Sequence, residues 1–250
     1  MSDRVVRSPI EVVSSIGSTN TELLARCGRG EAVREGSWLV ADRQTAGRGR
    51  LGREWYDGAG NFMGSTVVAL NGGDPAAHTL ALVAALAVYE TIAAALADTR
   101  RLMLKWPNDV LWEGAKIAGI LLERQGDTVV AGIGVNLARA PQIDGMATAS
   151  LADMGVHVAR DALAQELAHQ FAVCLALWRG SGLVEIVSRW IARGPARGTL
   201  LSASVPGEGA VTGRYAGLGP DGSLRLSLAD GRERAIYAGE VAMIAGEGDD

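Results

Sequence analysis

The feature that most constrains the fold is a change in hydrophobic pattern late in the chain. Up to the segment RGPARGT (193–199), short apolar runs such as SWLVA (37–41) alternate with longer segments of helical periodicity. Beyond it, only short strand-like runs separated by glycine-containing turns remain. The pattern predicts an α+β fold with a small C-terminal β-barrel, divided into residues 1–198 and 199–250. Because RGPARGT has the composition of a linker, we expect few core contacts to cross it.

Four helices are predicted, and two have clear start signals. We place them at about 18–27, 75–97, 160–178 and 183–192. Ser18 is a suitable N-cap for the first helix and Gly28 a suitable stop. Asp74 is a suitable N-cap for the second helix, and Pro75 is a suitable first residue.

The charge balance argues against several classes of protein. The net charge is −4, and all of it falls on residues 199–250, with 8 acidic and 4 basic residues, while residues 1–198 carry 20 of each. A dedicated nucleic-acid binder is usually basic, so that class is disfavoured. The sequence has no apolar stretch suited to a bilayer and no apolar signal near Met1, so a cytoplasmic location is expected. Cys27 and Cys174 fit no metal or redox spacing.

Lysine is almost absent from the chain. Of 24 cationic residues only Lys105 and Lys116 are lysines. Lysine offers a compact, mobile ammonium that arginine cannot reproduce. The two lysines therefore point either to a functional requirement or to chance retention.

The glycine–arginine segment GRGRLGR (47–53) is the sharpest local motif. It lies in a long polar loop over residues 42–61, which holds four arginines and five glycines. Glycines allow close approach of the backbone, and arginines supply positive charge, as a phosphate site requires. A nucleic-acid-binding or disordered segment of the RG type is the alternative. No P-loop is present.

A second motif, KWPNDV (105–110), predicts a strand that ends at Trp106, with Asn108 and Asp109 in the following turn. Carboxylates at strand ends either face a site or cap a turn, and the motif alone does not distinguish the two. Lys116 opens the next predicted strand. The segment GIGVNL (132–137) lacks the dinucleotide fingerprint.

Taken together, five segments resemble the biotin protein ligase family. In that family's order, they are GSTN (17–20), QTAGRGRLGREW (44–55), KWPNDV (105–110), KIAGILLE (116–123) and GIGVNL (132–137). The resemblance implies a mixed-sheet catalytic domain of the class II synthetase type followed by an SH3-like barrel. Only 17 residues precede Ser18, so we expect the monofunctional type, without the DNA-binding domain of bifunctional members.

The resemblance also implies a reaction in two steps. Biotin and ATP form biotinyl-5′-AMP with the help of Mg²⁺, and a lysine of a biotin carboxyl carrier domain then takes the biotinyl group. No tightly bound metal is expected. The implied partners are this carrier domain and no nucleic acid or membrane, with the protein a monomer or homodimer.

Site residues follow from the resemblance, position by position. Catalysis is assigned to Arg48, Arg50, Lys116 and Asp109, with Asp109 holding Mg²⁺ or orienting the acceptor amine. Contacts to biotin or its adenylate are assigned to Ser18, Thr19, Asn20, Gln44, Arg48, Gly49, Arg50, Lys116 and Gly119. Nucleotide contacts are assigned to Trp55, Asn108 and Asn136, although packing behind the loop is an alternative for Trp55.

Two other functions stay open on the sequence. A lipoate ligase or octanoyltransferase has the same fold group, but an octanoyltransferase is expected to use a cysteine near its lysine. The other is a non-enzymatic regulator that binds biotin.

Overall fold

The computed structural model describes residues 8–244 of the chain, so Met1 and its neighbours lie outside the described range. Seven strands belong to the larger sheet: β1 Ile10–Val13, β2 Trp38–Ala41, β3 Phe62–Ala69, β4 Leu102–Lys105, β5 Asp109–Trp112, β6 Ala115–Gln125 and β7 Thr128–Val135. The helices are α1 Thr19–Gly28, α2 Leu80–Ala93, α3 Arg160–Gly180 and α4 Leu183–Ile191. Five strands form a second sheet: β8 Leu200–Val205, β9 Gly209–Leu218, β10 Leu224–Ser227, β11 Glu233–Ile236 and β12 Glu240–Met243.

The larger sheet is mixed and has a helix layer on each face. Its order is β1-β2-β3-β7-β6-β5-β4, and only the β1–β2 pair is parallel. Successive side chains of a strand point to opposite faces. One face packs against α2 and α3, and we call it the back face; the other, the front face, packs against α1. The expected α+β class with a large mixed sheet is confirmed.

The main hydrophobic core lies between the back face and the two long helices. Trp38 of β2 packs edge-on against Phe171 of α3, with ring centroids 5.7 Å apart, and its ring also lies near Phe62 of β3. Helix α2 is buried on nearly every side, which explains why alanines occupy so many of its positions. A large side chain there would not fit between sheet and helix. The core thus fixes the sheet from behind and leaves the front face free for a site.

The C-terminal strands form an antiparallel sheet in the order β11-β10-β9-β8-β12. The turns at 219–222 and 229–231 connect its hairpins, as the sequence predicts. The ladder is open between the edge strands β11 and β12 among the described residues, so closure into a barrel is not confirmed.

Core contacts do cross the linker, and α4 and β9 are the main elements that meet there. Trp190 of α4 and Tyr215 of β9 are fully buried in the same core cluster as the main sheet. The buried indole Nε1 of Trp106 donates to the carbonyl of Gly222 at 3.1 Å. Composition marks the segment as a connector, but it carries no information on the apolar faces that flank it.

Two local predictions also need correction. Helix α2 begins at Leu80, after a 3₁₀ turn over Ala77–Thr79, and ends at Ala93. Asp74 does not cap it: its carboxylate accepts from the Asn71 amide at 2.9 Å and pairs with Arg179 of α3. Strand β1 has no clear sequence signal and was not predicted.

No helix within residues 8–244 combines the length and the apolar character that crossing a membrane would require.

Truncation after residue 198 tests the shared core. Removing β8–β12 would expose the apolar surface around Trp190, and each large side chain uncovered costs about 1.5–3 kcal/mol. We expect the truncated protein to lose its cooperative thermal transition in near-ultraviolet circular dichroism. A truncated protein that unfolds cooperatively at the temperature of the full chain would contradict this account.

Candidate active site

A cavity of about 630 Å³ opens on the front face, between the sheet, α1, the arginine-rich loop and the C-terminal sheet. Every residue that the sequence singles out as a site residue lines it: Ser18, Thr19, Asn20, Gln44, Arg48, Gly49, Arg50, Trp55, Asn108, Asp109, Lys116, Gly119 and Asn136. Lys105 lines it as well. The structure therefore brings segments that are up to 118 positions apart (18 to 136) to one place.

The strand register builds the floor of this cavity. Gly119 of β6 pairs with both Asp109 of β5 and Gly134 of β7, so these three residues form a row on the front face. A Cβ atom added to Gly134 would lie 2.1 Å from the Trp55 ring, and one on Gly119 would lie 3.0 Å from it. No side chain fits at Gly134 without moving Trp55, and one at Gly119 would be tight, so the glycines make room for Trp55 on the floor.

The end of the cavity at α1 is lined by neutral polar groups. Ser18 caps the helix, accepting weakly from the Thr21 amide at 3.4 Å. Gln44 Oε1 accepts from the Thr19 amide at 2.7 Å. The Thr19 hydroxyl lies 2.6 Å from Ser65 Oγ, and Ser65 donates to Asn20 Oδ1 at 2.6 Å. The result is a row of hydroxyl and amide groups suited to a polar, uncharged group.

Loop residue Arg48 binds the protein's own carboxylate. Its Nη2 donates to Glu123 Oε1 at 3.0 Å and to the Thr21 hydroxyl at 2.9 Å. Asn20 Nδ2 donates to the other oxygen of Glu123 at 2.9 Å. The loop is thereby attached to α1 and β6.

Arg50 has no carboxylate within salt-bridge distance among residues 8–244. Its guanidinium donates to Asn108 Oδ1 and to the Gly239 carbonyl, each at 3.1 Å. Burial lowers the pKa of this guanidinium below its ordinary value, while the more distant Asp109 charge acts in the opposite direction. A half-buried cation held by neutral oxygens is costly unless an anion joins it. The neighbouring Arg53 binds Glu240, so the loop contacts the C-terminal sheet twice.

Both lysines of the chain bind one buried carboxylate. Lys116 Nζ lies 2.7 Å from Asp109 Oδ1, and Lys105 Nζ lies 3.4 Å from Oδ2. Lys116 also lies 5.8 Å from the Trp55 ring centroid, within range of a cation–π contact. Asp109 is the first residue of β5 rather than a turn residue, and its strand pairing aims the carboxylate at the cavity floor. Two ammonium groups share one carboxylate, which leaves positive charge for a ligand.

The arrangement does not suit Asp109 as a resident magnesium ligand. Its two oxygens already face ammonium groups, and within residues 8–244 no cluster of three His, Cys, Asp or Glu side chains is placed to hold a metal. Mg²⁺ needs oxygen ligands in near-octahedral geometry and often takes most of them from water and substrate phosphates.

The two asparagines predicted to contact nucleotide have protein partners. Asn108 Nδ2 donates to the Ile120 carbonyl at 2.7 Å. Asn136 Nδ2 donates to the carbonyls of Ala149 and, more weakly, Lys116. Both side chains hold strands that carry site residues, and their contact with a nucleotide stays a prediction.

The sequence reasoning missed three contributors to this region. Ser65 and Glu123 complete the network behind the cavity wall, and Glu240 anchors the loop from the C-terminal sheet. The segment 141–148 also lines the cavity. Of these only Glu123 has a local signal: it follows Gly119 and Leu121 at every second position of β6, on the face of the floor.

The sequence is similar to one protein family and to several of its curated members. The model of the Biotin/lipoate A/B protein ligase family matches residues 12–138. The biotin–[acetyl-CoA-carboxylase] ligase of Paracoccus denitrificans is 37% identical over 235 residues, covering 90% of this chain and 96% of the relative. The enzyme of that name from Mycobacterium tuberculosis is 36% identical over 237 residues, covering 93% and 88%.

Solved structures show the same architecture. The biotin protein ligase from Aquifex aeolicus in complex with biotin and ATP superposes with a TM-score of 0.82 at 26% identity, covering 95% of this chain and 99% of that chain. The family match spans half of the chain, and the relatives are similar over nearly their whole length. The chain therefore belongs to the biotin/lipoate A/B protein ligase family.

Proposed function

We propose that the protein is an ATP-dependent biotin ligase that activates biotin as biotinyl-5′-AMP and transfers it to a lysine of a biotin carboxyl carrier domain. The observation that carries the proposal is the pairing of two environments in one cavity. A neutral polar end at Thr19 and Asn20 adjoins a cationic centre, where Arg50 is held by neutral oxygens and two lysines share Asp109.

This pairing matches the two parts of biotin. The ureido group presents a carbonyl and two N–H groups, which hydroxyl and amide side chains bind, whereas the valerate ends in a carboxylate. With the ring beside Thr19 and Asn20, the chain of biotin runs along Trp55, which covers the glycine floor, and its carboxylate reaches Lys116. Trp55 then packs against the apolar chain.

In the first step an oxygen of the biotin carboxylate attacks the α-phosphorus of ATP. A bond forms between that oxygen and phosphorus, and the bond to pyrophosphate breaks. Both reactants are anions, so Lys116 and Arg50 lower the repulsion and stabilise charge on the phosphoryl oxygens. Mg²⁺ would be held mainly by the nucleotide phosphates and water, which commonly supply most of its ligands, and would neutralise phosphate charge there.

In the second step the neutral amine of the acceptor lysine attacks the biotinyl carbonyl. The amide bond forms, the bond from the carbonyl carbon to the phosphate oxygen breaks, AMP leaves, and the nitrogen releases its extra proton to water. Asp109 would orient this amine by exchanging its longer contact, the one to Lys105 at 3.4 Å, for the acceptor nitrogen. Closure of the loop over the anhydride keeps water out.

The C-terminal sheet serves the same site. We assign residues 1–198 to the catalytic domain and 199–250 to an SH3-like module. The strand order, in which the last strand returns beside the first, supports this assignment. Contacts from Gly239 and Glu240 to the loop support a role in holding it.

The alternatives within the fold group fit less well. A lipoyl or octanoyl chain has no polar ring for the groups around Thr19. Neither cysteine lines the cavity, and burial raises the pKa of Cys174 to about 11, so an acyl-cysteine intermediate is disfavoured.

The proposal is tested by incubating the purified protein with ATP, Mg²⁺ and biotin, lipoate or octanoate, and measuring pyrophosphate and acyl-AMP. Of the three acids, we expect only biotin to give pyrophosphate and an acyl-AMP. When a carrier domain is added, we expect biotin to become attached to it. Pyrophosphate release with lipoate or octanoate but not with biotin would overturn the proposed substrate. Binding of biotin without any acyl-AMP would favour the non-enzymatic regulator.

Lys116→Arg is expected to lower the rate of pyrophosphate release by about 100-fold, the scale of losing one electrostatic donor. A guanidinium is broader and planar, so it crowds the space between Asp109, Trp55 and the reacting groups. Affinity for biotin, measured by calorimetry, should fall less because the polar end is untouched.

Lys105→Arg is the matched control, since Lys105 binds the same carboxylate at a longer distance. It should be much milder. Wild-type rates in both variants would show that the scarcity of lysine has no functional cause and that the role of Lys116 is wrong.

Cleavage by trypsin at Arg48, Arg50 and Arg53 should slow when biotin and ATP are added together. All three arginines now bind atoms of the protein itself, and a phosphate brings them a stronger common partner. The measurement is the rate of appearance of the cleavage fragments. Equal rates with and without ligands would contradict a loop that closes on the adenylate.

A further inference from the structure

Glu123 is an acidic side chain that joins the neutral end of the cavity to the arginine loop. Its Oε2 accepts from Asn20 Nδ2 at 2.9 Å, and its Oε1 accepts from Arg48 Nη2 at 3.0 Å. Glu123 itself does not line the cavity. We propose that Glu123 is a positioning residue that sets Asn20 for biotin and Arg48 for the nucleotide through one carboxylate, an inference that rests on the proposed ligase function.

The orientation of the Asn20 amide is fixed by its partners. Its Oδ1 accepts the Ser65 hydroxyl at 2.6 Å, so its Nδ2 must face the opposite side. There it donates to the Leu121 carbonyl as well as to Glu123. Both donors of Asn20 are therefore used by the protein, and the side chain is held rather than free to turn.

Only a carboxylate can serve both partners of Glu123. The Asn20 amide and the Arg48 guanidinium each present an N–H, so the residue between them needs two acceptor oxygens. Glutamine offers one oxygen and one N–H group. Whichever way it turns, one N–H faces another donor, either at Asn20 or at Arg48.

The network extends beyond Asn20 along the polar end. The Ser65 hydroxyl donates its single proton to Asn20, so in its bond with Thr19 it accepts and the Thr19 hydroxyl donates. Gln44 Oε1 accepts from the Thr19 amide. A continuous row of bonds therefore runs from Gln44 to Arg48. Because every member is buried or part-buried except the arginine, loss of one member disturbs its neighbours.

Glu123→Gln is the test, with two readouts that separate its partners. Calorimetry gives the Kd of biotin without nucleotide, which reports on Asn20. Pyrophosphate release at saturating biotin gives the KM of ATP and kcat, which report on Arg48. We expect the Kd of biotin and the KM of ATP each to rise about tenfold, the scale of one hydrogen bond to a charged group, while kcat changes less.

A double-mutant cycle with Arg48→Ala distinguishes positioning from a general loss of structure. In that background Glu123→Gln should no longer affect the KM of ATP, but it should still raise the Kd of biotin. Glu185→Gln, which breaks an exposed ion pair with Arg189 on α4, is the control and should change neither. Thermal unfolding of each variant shows whether the fold is retained.

Unchanged biotin Kd and ATP KM in Glu123→Gln would overturn the proposal, as would an equal effect on ATP with and without Arg48. If the wild type binds biotin but forms no adenylate, the proposed function fails instead. The calorimetric arm then still decides whether Glu123 sets Asn20.

Discussion

The close pairing of glycines on β6 and β7 is the constraint on which the site depends. Gly119 lies opposite Gly134, and Gly132 lies opposite Leu121, so three strand positions that line the cavity carry no side chain. Trp55 and Asn20 occupy the space that a Cβ atom at Gly134 or Gly132 would take. The back face of the same strands is packed with aliphatic side chains. The same strand register therefore places aliphatic side chains on the back face, where they form the core, and glycines on the front face, where the cavity lies.

Charged side chains surround this floor, and most but not all of the cationic ones are paired with carboxylates of the protein. Asp109 lies in the glycine row and binds both lysines, while Arg48 and Arg53 bind glutamates that belong to other parts of the fold. Arg50 alone in this group is held by neutral oxygens. A triphosphate would supply the anionic partner that Arg50 needs. The arginines of the loop can therefore exchange their contacts with the protein for contacts with a substrate.

Local signals in the sequence predicted what local interactions decide. Ser18 caps α1 as expected, and the helices predicted at about 160–178 and 183–192 are α3 at Arg160–Gly180 and α4 at Leu183–Ile191. The motifs identified residues that line one cavity, because each of these residues belongs to a strand end or a loop that its own segment defines. Roles that depend on distant partners could not be predicted. Asp74 has the chemistry of a helix cap, but Arg179, 105 positions later, takes its carboxylate. Glu123 acts through Arg48, 75 positions earlier, and nothing near it in the sequence indicates that contact.

A crystal structure with a non-hydrolysable analogue of biotinyl-5′-AMP tests the account most directly. The account predicts the bicyclic ring beside Thr19 and Asn20, the valeryl chain against the Trp55 ring that covers Gly119 and Gly134, and the group that replaces the phosphate within hydrogen-bond distance of Lys116 Nζ and the Arg50 guanidinium. An analogue bound away from the glycine floor, or with its ring at the lysine end and its nucleotide at α1, would contradict it.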